Sequence, residues 1–235
     1  MRNGRLATLL IVVLLAAGCG STPTPRTGRS PAASTAPDPI TADGCSITLP
    51  EQVIAVEGVR IALLGSGPRA VVLSDESDEN LCSWLPYAAT LVHAGYRVVV
   101  WDYWNDPVAD LKAVVQAVRG RGAHSVVLLG ASEGAKASLI AAATIEPPVT
   151  GVVSLSAEES LQGTDVPAAV TRLRVPVLLL TAHDDAYGSA DAGPEILKAM
   201  AGTDKRLIVV PGADHGTALL THASVRADIG KFLAV

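Results

Sequence analysis

The chain has 235 residues, of which 49% are hydrophobic and 17% are charged, and its formal net charge is −5. This composition fits one globular domain and excludes a fibrous or wholly disordered chain. The negative charge gives no electrostatic reason to expect a nucleic-acid partner, and an aromatic content of 3% argues against a stacking platform for single strands. The sequence shows no internal repeat and no zinc-type spacing of Cys and His.

Residues 1–18 predict an export signal. Arg2 and Arg5 precede the uncharged run LATLLIVVLLAA, which is short for a bilayer span and typical of the hydrophobic region of a signal peptide. The ending Ala16-Ala17-Gly18-Cys19 resembles a bacterial lipobox, in which cleavage before the cysteine leaves a lipid-modified amino terminus. We therefore expect a protein held at the outer face of the bacterial cell membrane by a lipid anchor at Cys19. An ordinary secreted protein is the alternative.

Residues 19–44 predict a flexible tether, because they are rich in Ser, Thr, Pro and Gly and contain few large apolar side chains. Such a segment buries too little surface to offset its ordering entropy. The folded domain is expected to span residues 45–235. Cys45 and Cys82 are a candidate disulfide of an exported protein, which would staple the start of this domain. The alternative is two buried thiols that behave as small hydrophobic groups.

From Gln52 onward, short β-rich runs alternate with longer helical runs, and the first two β-rich runs predict an antiparallel pair. The central strands are continuous Val and Leu runs, a pattern typical of strands that helices cover on both faces. The alternation predicts a mostly parallel, doubly wound sheet flanked by helices, with functional groups in the loops after the strands. The predicted strands are VIAVEG, VRIALLGSG, RAVVLSD, YRVVVWDYW, SVVLLG, VTGVVSLSA, VPVLLLTAHDD and RLIVVPGADHG. The predicted helices are WLPYAATLVHAG, VADLKAVVQAVRGRG, AKASLIAAATI, GPEILKAMAG and HASVRADIGKFLA.

The run Gly130-Ala131-Ser132-Glu133-Gly134 joins a predicted strand to a predicted helix. A bare G-x-S-x-G motif is a weak signal, but this setting is the geometry of a nucleophile elbow. Glycine at positions 130 and 134 removes Cβ atoms that would collide where strand and helix approach each other. In this setting the chain resembles the α/β-hydrolase fold from about Gln52 to its end. It is most similar to small dienelactone-hydrolase-like and esterase-like members.

The resemblance implies a catalytic triad in the chain order nucleophile, acid, histidine. Ser132 matches the nucleophile, and Asp185 matches the acid at the second aspartate after a strand, with Asp184 as the alternative. His215 in PGADHGT matches the histidine; it would take the Ser132 proton during attack on an acyl carbonyl, while Asp185 orients the imidazole. The remaining histidines are expected to be structural or solvent-facing: His93, His124, His183 and His222.

The resemblance also implies an oxyanion hole made of two backbone N–H groups, those of Glu133 and Glu76. Relatives usually carry His-Gly after the strand that precedes Glu76, whereas this chain has the acidic run Ser74–Glu79. The carboxylates of Glu133, Glu158 and Asp184 also follow strand ends. Two interpretations stay open: a solvated acidic rim whose side chains point outward, or a site that selects cationic substrates or has lost turnover.

The segment EESLQGTDVPAAVTRLR lies where many relatives insert a cap, and it is too short for an independent one. We expect no large cap domain and an open, shallow pocket for small acyl compounds. Tyr103 and Trp104 are candidates for lining this pocket or for filling the core.

The sequence thus predicts an exported, lipid-anchored serine hydrolase that cleaves carboxylic ester or thioester bonds of a small-molecule acyl substrate. It implies no metal or organic cofactor and no nucleic-acid partner. A non-catalytic binding lipoprotein with the same fold is an alternative. An aminopeptidase or amidase on the same triad is another, because acidic groups would suit a substrate amine.

Overall fold

The computed structural model describes residues 40–42, 45–47, 53–56, 58–77, 79, 81–103 and 105–234. The predicted export signal, Cys19 and most of the predicted tether lie outside these residues. Within them, no helix combines the length and the hydropathy that crossing a bilayer requires.

A small antiparallel sheet pairs Ile40–Ala42 (β1) with Cys45–Ile47 (β2). β1 lies in the segment that the sequence predicted as tether, so strand pairing begins before the predicted domain boundary. The side chain of Cys45 is outside the described part of the chain. The disulfide between Cys45 and Cys82 therefore stays a prediction.

The main sheet has eight strands in the spatial order β12-β11-β8-β7-β5-β6-β4-β3. Its strands in chain order are Val53–Val56 (β3), Val59–Leu64 (β4), Arg69–Ser74 (β5), Arg97–Trp101 (β6), Ser125–Ala131 (β7), Gly151–Leu155 (β8), Val177–Ala182 (β11) and Lys205–Val210 (β12). β4 pairs antiparallel with both β3 and β6, and every other pairing is parallel. The predicted mostly parallel sheet and its antiparallel opening pair are confirmed.

Helices cover both faces of this sheet, which confirms the doubly wound architecture. They are Leu85–His93 (α1), Pro107–Gly120 (α2), Glu133–Ala142 (α3), Val166–Ala169 (α4), Ser189–Ala199 (α5) and Ala223–Leu233 (α6). Two 3-10 helices span Leu81–Trp84 and Gly216–Thr221. The start of α2 follows from its sequence: Pro107 occupies the first turn, and the Asp106 carboxylate accepts the N–H groups of Val108 and Ala109 at 2.9 and 3.1 Å.

The core has two layers because successive residues of each strand point to opposite faces. On one face, Leu128 and Val152 pack with buried side chains of α2, α3 and α5. On the other face, Leu129 and Val153 pack with buried side chains of α1 and α6. Burying one such Val or Leu contributes about 1.5–3 kcal/mol, and the side chains on both faces of the central strands are buried. The continuous Val and Leu runs of the sequence are explained by this double coverage.

The segment between β8 and β11 contains only a two-stranded hairpin, Ser160–Leu161 (β9) with Thr164–Asp165 (β10), followed by the one-turn helix α4. No large cap domain is present between these strands, as predicted. The parallel strands end at one edge of the sheet, and the loops after β5, β7, β8, β11 and β12 meet there.

Candidate active site

Ser132 lies on a sharp turn between the last residue of β7, Ala131, and the first residue of α3, Glu133. Its φ of +46° is unusual for a serine, and such a conformation costs about 1–3 kcal/mol. The Ser132 N–H donates to the carbonyl oxygen of Leu155 at 2.8 Å, which holds the turn against the end of β8. The side chain is directed into a pocket at this edge of the sheet.

The glycines on either side of this turn are required by close backbone approach. A Cβ atom on Gly130 would lie 2.1 Å from the carbonyl oxygen of Gly134, and one on Gly134 would lie 2.2 Å from that of Ser74. The Gly134 N–H donates to the Asp75 carbonyl at 2.9 Å, so the start of α3 is joined to the loop after β5. The collision predicted for larger residues at both positions is confirmed.

Asp185 and His215 form a hydrogen-bonded pair although 30 residues separate them in the chain. Nδ1 of His215 lies 2.8 Å from Oδ2 and 3.0 Å from Oδ1 of Asp185. The Asp185 side chain is fully buried, whereas the His215 side chain is 16% exposed. This arrangement holds Nδ1 of His215 against the Asp185 carboxylate and leaves Nε2 directed towards the pocket.

Asp185 stays ionised because its hydrogen bonds outweigh its burial. Burial raises the pKa of this carboxyl, but hydrogen bonds from the Ser189 hydroxyl, His215 and the Tyr187 N–H together hold the pKa below its ordinary value. A carboxyl with a lowered pKa stabilises the fold at neutral pH. This contribution is lost as the pH falls below the ordinary pKa of about 4 towards the lower folded value.

The neighbouring aspartate has a different partner. Oδ1 of Asp184 lies 2.7 Å from Nδ1 of His183, and both side chains are largely exposed. Nε2 of His222 lies 2.7 Å from Oδ2 of Asp214, just before α6. The structure therefore brings Asp185 rather than Asp184 to His215.

Glu158 lies between Ser132 and His215, which sequence reasoning did not anticipate. The Ser132 hydroxyl donates to Oε1 of Glu158 at 3.1 Å, and the same oxygen lies 3.4 Å from Nε2 of His215. Oε2 of Glu158 forms an ion pair with Nζ of Lys136, which is one turn after Ser132 on α3. Sequence reasoning treated Glu158 only as one carboxylate among several after strand ends.

The pocket around these groups has a volume of about 490 Å³ and opens widely to solvent. Four loops and the first turns of α3 form its walls. Its lining residues are Glu76, Ser77, Glu79, Ser132, Lys136, Glu158, Tyr187, His215, Thr217 and Ala218. An open pocket of this size suits a small compound.

The acidic loop after β5 turns inward at its start. Asp75 is 3% exposed and Glu76 is 7% exposed, while Ser77 and Glu79 are exposed. Oε1 of Glu76 accepts the Thr217 N–H at 3.0 Å and also the Thr217 hydroxyl, which joins this loop to the loop of His215. The interpretation of a solvated rim with outward side chains is wrong for Asp75 and Glu76, because both residues are buried.

Asp75 is a buried carboxyl that retains its proton at neutral pH. Burial is the main cause, and the nearby Asp102, Glu76 and Glu79 carboxylates add to it, raising the pKa from 3.8 to about 8. Between these two pH values the folded protein keeps this proton, whereas the unfolded chain releases it. The free energy of unfolding therefore falls as the pH rises from the lower value to the higher one.

We predict that Asp75→Asn makes the protein more stable at pH 8 than the unsubstituted chain. Asn has nearly the shape of the protonated acid and cannot ionise. The free energy of unfolding of the variant should therefore exceed that of the unsubstituted chain by an amount that grows by about 1.4 kcal/mol per pH unit between about pH 4 and pH 8. Urea unfolding followed by circular dichroism across this range measures it. The exposed Asp184→Asn variant serves as the control, and a difference that does not change with pH would contradict the burial of an acid at position 75.

The two predicted oxyanion donors are the main-chain N–H groups of Glu133, which directly follows Ser132, and of Glu76. Glu133 begins α3, and a first-turn N–H has no acceptor inside its own helix. Its side chain accepts from Nε2 of Gln162 at 3.1 Å, outside the pocket lining. Glu76 contributes to the pocket wall. Their role as oxyanion donors stays a prediction.

No protein-family model matches the chain, and no curated protein matches it. Solved structures do match. An esterase from Pyrococcus furiosus has a TM-score of 0.67 at 14% identity, covering 78% of this chain and 91% of its own. The enol-lactonase from Burkholderia xenovorans LB400 has a TM-score of 0.63 at 14% identity, covering 78% and 99%. A monoacylglycerol lipase from Paleococcus ferrophilus has a TM-score of 0.58 at 16% identity, covering 67% and 90%.

The protein has the α/β-hydrolase fold. Within this fold, the loop after β7 carries Ser132, the loop after β11 carries Asp185 and the loop after β12 carries His215. The loop after β5 adds Glu76, and the loop after β8 adds Glu158. No group of three or more His, Cys, Asp or Glu side chains among the described residues has an arrangement suited to a metal ion.

Among the described residues that line the pocket, Tyr187 contributes an aromatic side chain beside His215. Its ring centroid lies 4.3 Å from that of His215, and the residue is 66% exposed. Tyr103, a sequence candidate for the pocket, instead packs against the core and donates its hydroxyl to the Asp75 carbonyl. The other candidate, Trp104, lies outside the described residues. The sequence analysis did not identify Tyr187 as a pocket residue, and its position two residues after Asp185 is the signal that could have indicated it.

Proposed function

We propose that the protein is a serine hydrolase of the carboxylesterase type that cleaves carboxylic ester or thioester bonds of small acyl compounds. The observation that carries this proposal is the pairing of His215 with the buried, ionised Asp185 in the pocket that holds Ser132. A strained serine at a strand-to-helix turn, a histidine and an orienting carboxylate are the parts that acyl transfer needs.

The mechanism assigns one role to each group. Nε2 of His215 takes the proton of Ser132 as Oγ attacks the acyl carbonyl carbon, and Asp185 supports the positive charge of the imidazolium. The N–H groups of Glu133 and Glu76 donate to the oxyanion. His215 then gives its proton to the departing alcohol or thiol, leaving an acyl-serine. Water then loses a proton to His215 and attacks the acyl carbon, and His215 returns that proton to Oγ of Ser132 as the carboxylic acid leaves.

The shape of the pocket supports small substrates. A volume of about 490 Å³ with no cap above it gives little room for shielding a long acyl chain from water. The similar structures are those of an esterase, an enol-lactonase and a monoacylglycerol lipase, names that denote enzymes of acyl–oxygen bonds. Those names support an ester as the substrate class.

We also propose that the enzyme is exported and held at the membrane by a lipid on Cys19, with a disulfide between Cys45 and Cys82. The arginines, apolar run and Gly18-Cys19 ending of residues 1–19 support export and lipidation. An extracytoplasmic location would favour oxidation of the two remaining cysteines.

Labelling with a fluorophosphonate probe tests this proposal. The probe phosphonylates a serine only when a base activates it, so we expect the purified protein to be labelled and to hydrolyse p-nitrophenyl acetate. Denatured protein is the control and should remain unlabelled. Absence of both labelling and hydrolysis in the folded protein would contradict the assignment.

A further inference from the structure

One oxygen of Glu158 lies where a reacting atom belongs. Oε1 is 3.1 Å from Oγ of Ser132 and 3.4 Å from Nε2 of His215. In acyl transfer, the leaving-group oxygen and later the attacking water must each lie within reach of the histidine and next to the serine. Glu158 and either of these atoms cannot occupy this space together.

The second oxygen of Glu158 has its own partner. Oε2 pairs with Nζ of Lys136, and the two side chains are only 18% and 13% exposed. An ion pair with restricted access to water is screened less than a surface pair. A hydroxyl, an imidazole and an ammonium group therefore surround one carboxylate.

This arrangement resembles a complex with the product of hydrolysis, because the product of ester cleavage is itself a carboxylate. We propose that Ser132, His215 and Lys136 form a binding position for small carboxylates, and that Glu158 fills this position in the resting protein. Glu158 then competes with substrate and with the acid product. The inference rests on the proposed function, since only a hydrolase makes such a product here.

A tethered carboxylate is an effective competitor. Its local concentration is on the order of millimolar or higher, because the chain holds it beside its partners. While the Ser132 hydroxyl donates its hydrogen bond to Glu158, it does not donate one to His215. If Glu158 occupies the position nine-tenths of the time, only about a tenth of the molecules are competent and kcat/KM falls about tenfold.

The test uses Glu158→Ala and Glu158→Gln, with Glu159→Gln as the matched control. Glu159 is an exposed neighbouring acid. We expect the alanine variant to raise both the fluorophosphonate labelling rate and kcat/KM for p-nitrophenyl acetate by about tenfold. Glutamine retains the shape and an acceptor oxygen but cannot form the ion pair, so it should give a smaller increase. The control should match the unsubstituted protein.

Inhibition by acetate tests whether the space that Glu158 leaves binds carboxylates, or whether removing Glu158 only relieves a steric block. Acetate should inhibit Glu158→Ala at a concentration about tenfold lower than that needed for the unsubstituted protein, because its position is then vacant. Adding Lys136→Gln to Glu158→Ala should weaken this inhibition again.

Equal or lower labelling rates in both Glu158 variants would overturn the inference, as would acetate inhibition that is the same with and without Glu158. These outcomes differ from failure of the proposed function. That failure would appear as no labelling of any variant, or as equal labelling of a Ser132→Ala variant.

Discussion

Replacing Ser132 with alanine is expected to lower kcat for p-nitrophenyl acetate by about 10⁴-fold or more, because the proposed mechanism forms its acyl intermediate on the hydroxyl of Ser132. Alanine keeps the Cβ atom, so the strained turn and its hydrogen bond to Leu155 should persist. The variant should unfold at nearly the same urea concentration as the unsubstituted protein.

Ser160→Ala is the control for this experiment, since Ser160 is an exposed hydroxyl at the start of β9. Its activity should be unchanged. If Ser132→Ala retained more than about a hundredth of the activity while folding normally, hydrolysis would have to proceed without an acyl-serine.

Replacing Asp185 with asparagine is expected to lower kcat by about 10³–10⁴-fold. The buried carboxylate accepts hydrogen bonds from Nδ1 of His215, the Ser189 hydroxyl and the Tyr187 N–H. An asparagine amide facing His215 would favour the tautomer that carries its proton on Nε2, which cannot accept the serine proton.

The adjacent Asp184→Asn variant provides a matched control for Asp185→Asn. Its carboxylate is exposed and pairs with His183, so the substitution should change kcat by less than about twofold. Steady-state kinetics of both variants give the comparison. Equal losses in the two variants would contradict a specific role for the carboxylate at position 185.

The sheet could be predicted from local patterns of the sequence, whereas the pairing of Asp185 with His215 was expected from the resemblance to the α/β-hydrolase fold. Buried strands appear as Val and Leu runs, and the carboxyl ends of parallel strands meet at one edge. The glycines at 130 and 134 follow from the close approach of strand and helix, which any such turn requires.

The direction of the loop carboxylates could not be predicted in this way. The buried Glu76 side chain accepts a hydrogen bond from Thr217, and the main-chain carbonyl of Asp75 accepts one from Gly134, although both donors are distant in the chain. Glu158 reaches Ser132 because Lys136 pairs with its second oxygen. These are tertiary contacts between separate loops, and no periodicity or motif in the sequence encodes them.

The site combines several unfavourable local features: a serine with positive φ, a buried acid at position 75, and a glutamate in contact with that serine. Each lowers the stability of the fold or the freedom of the serine. Features of this kind concentrate at functional sites, where the surrounding core compensates for them.

The most direct measurement is the location of the phosphonate adduct by mass spectrometry after the labelled protein is digested. We predict a single modified residue, Ser132, and loss of the adduct when His215 is replaced by alanine. An adduct on another serine, or undiminished modification of Ser132 in the His215→Ala variant, would contradict it.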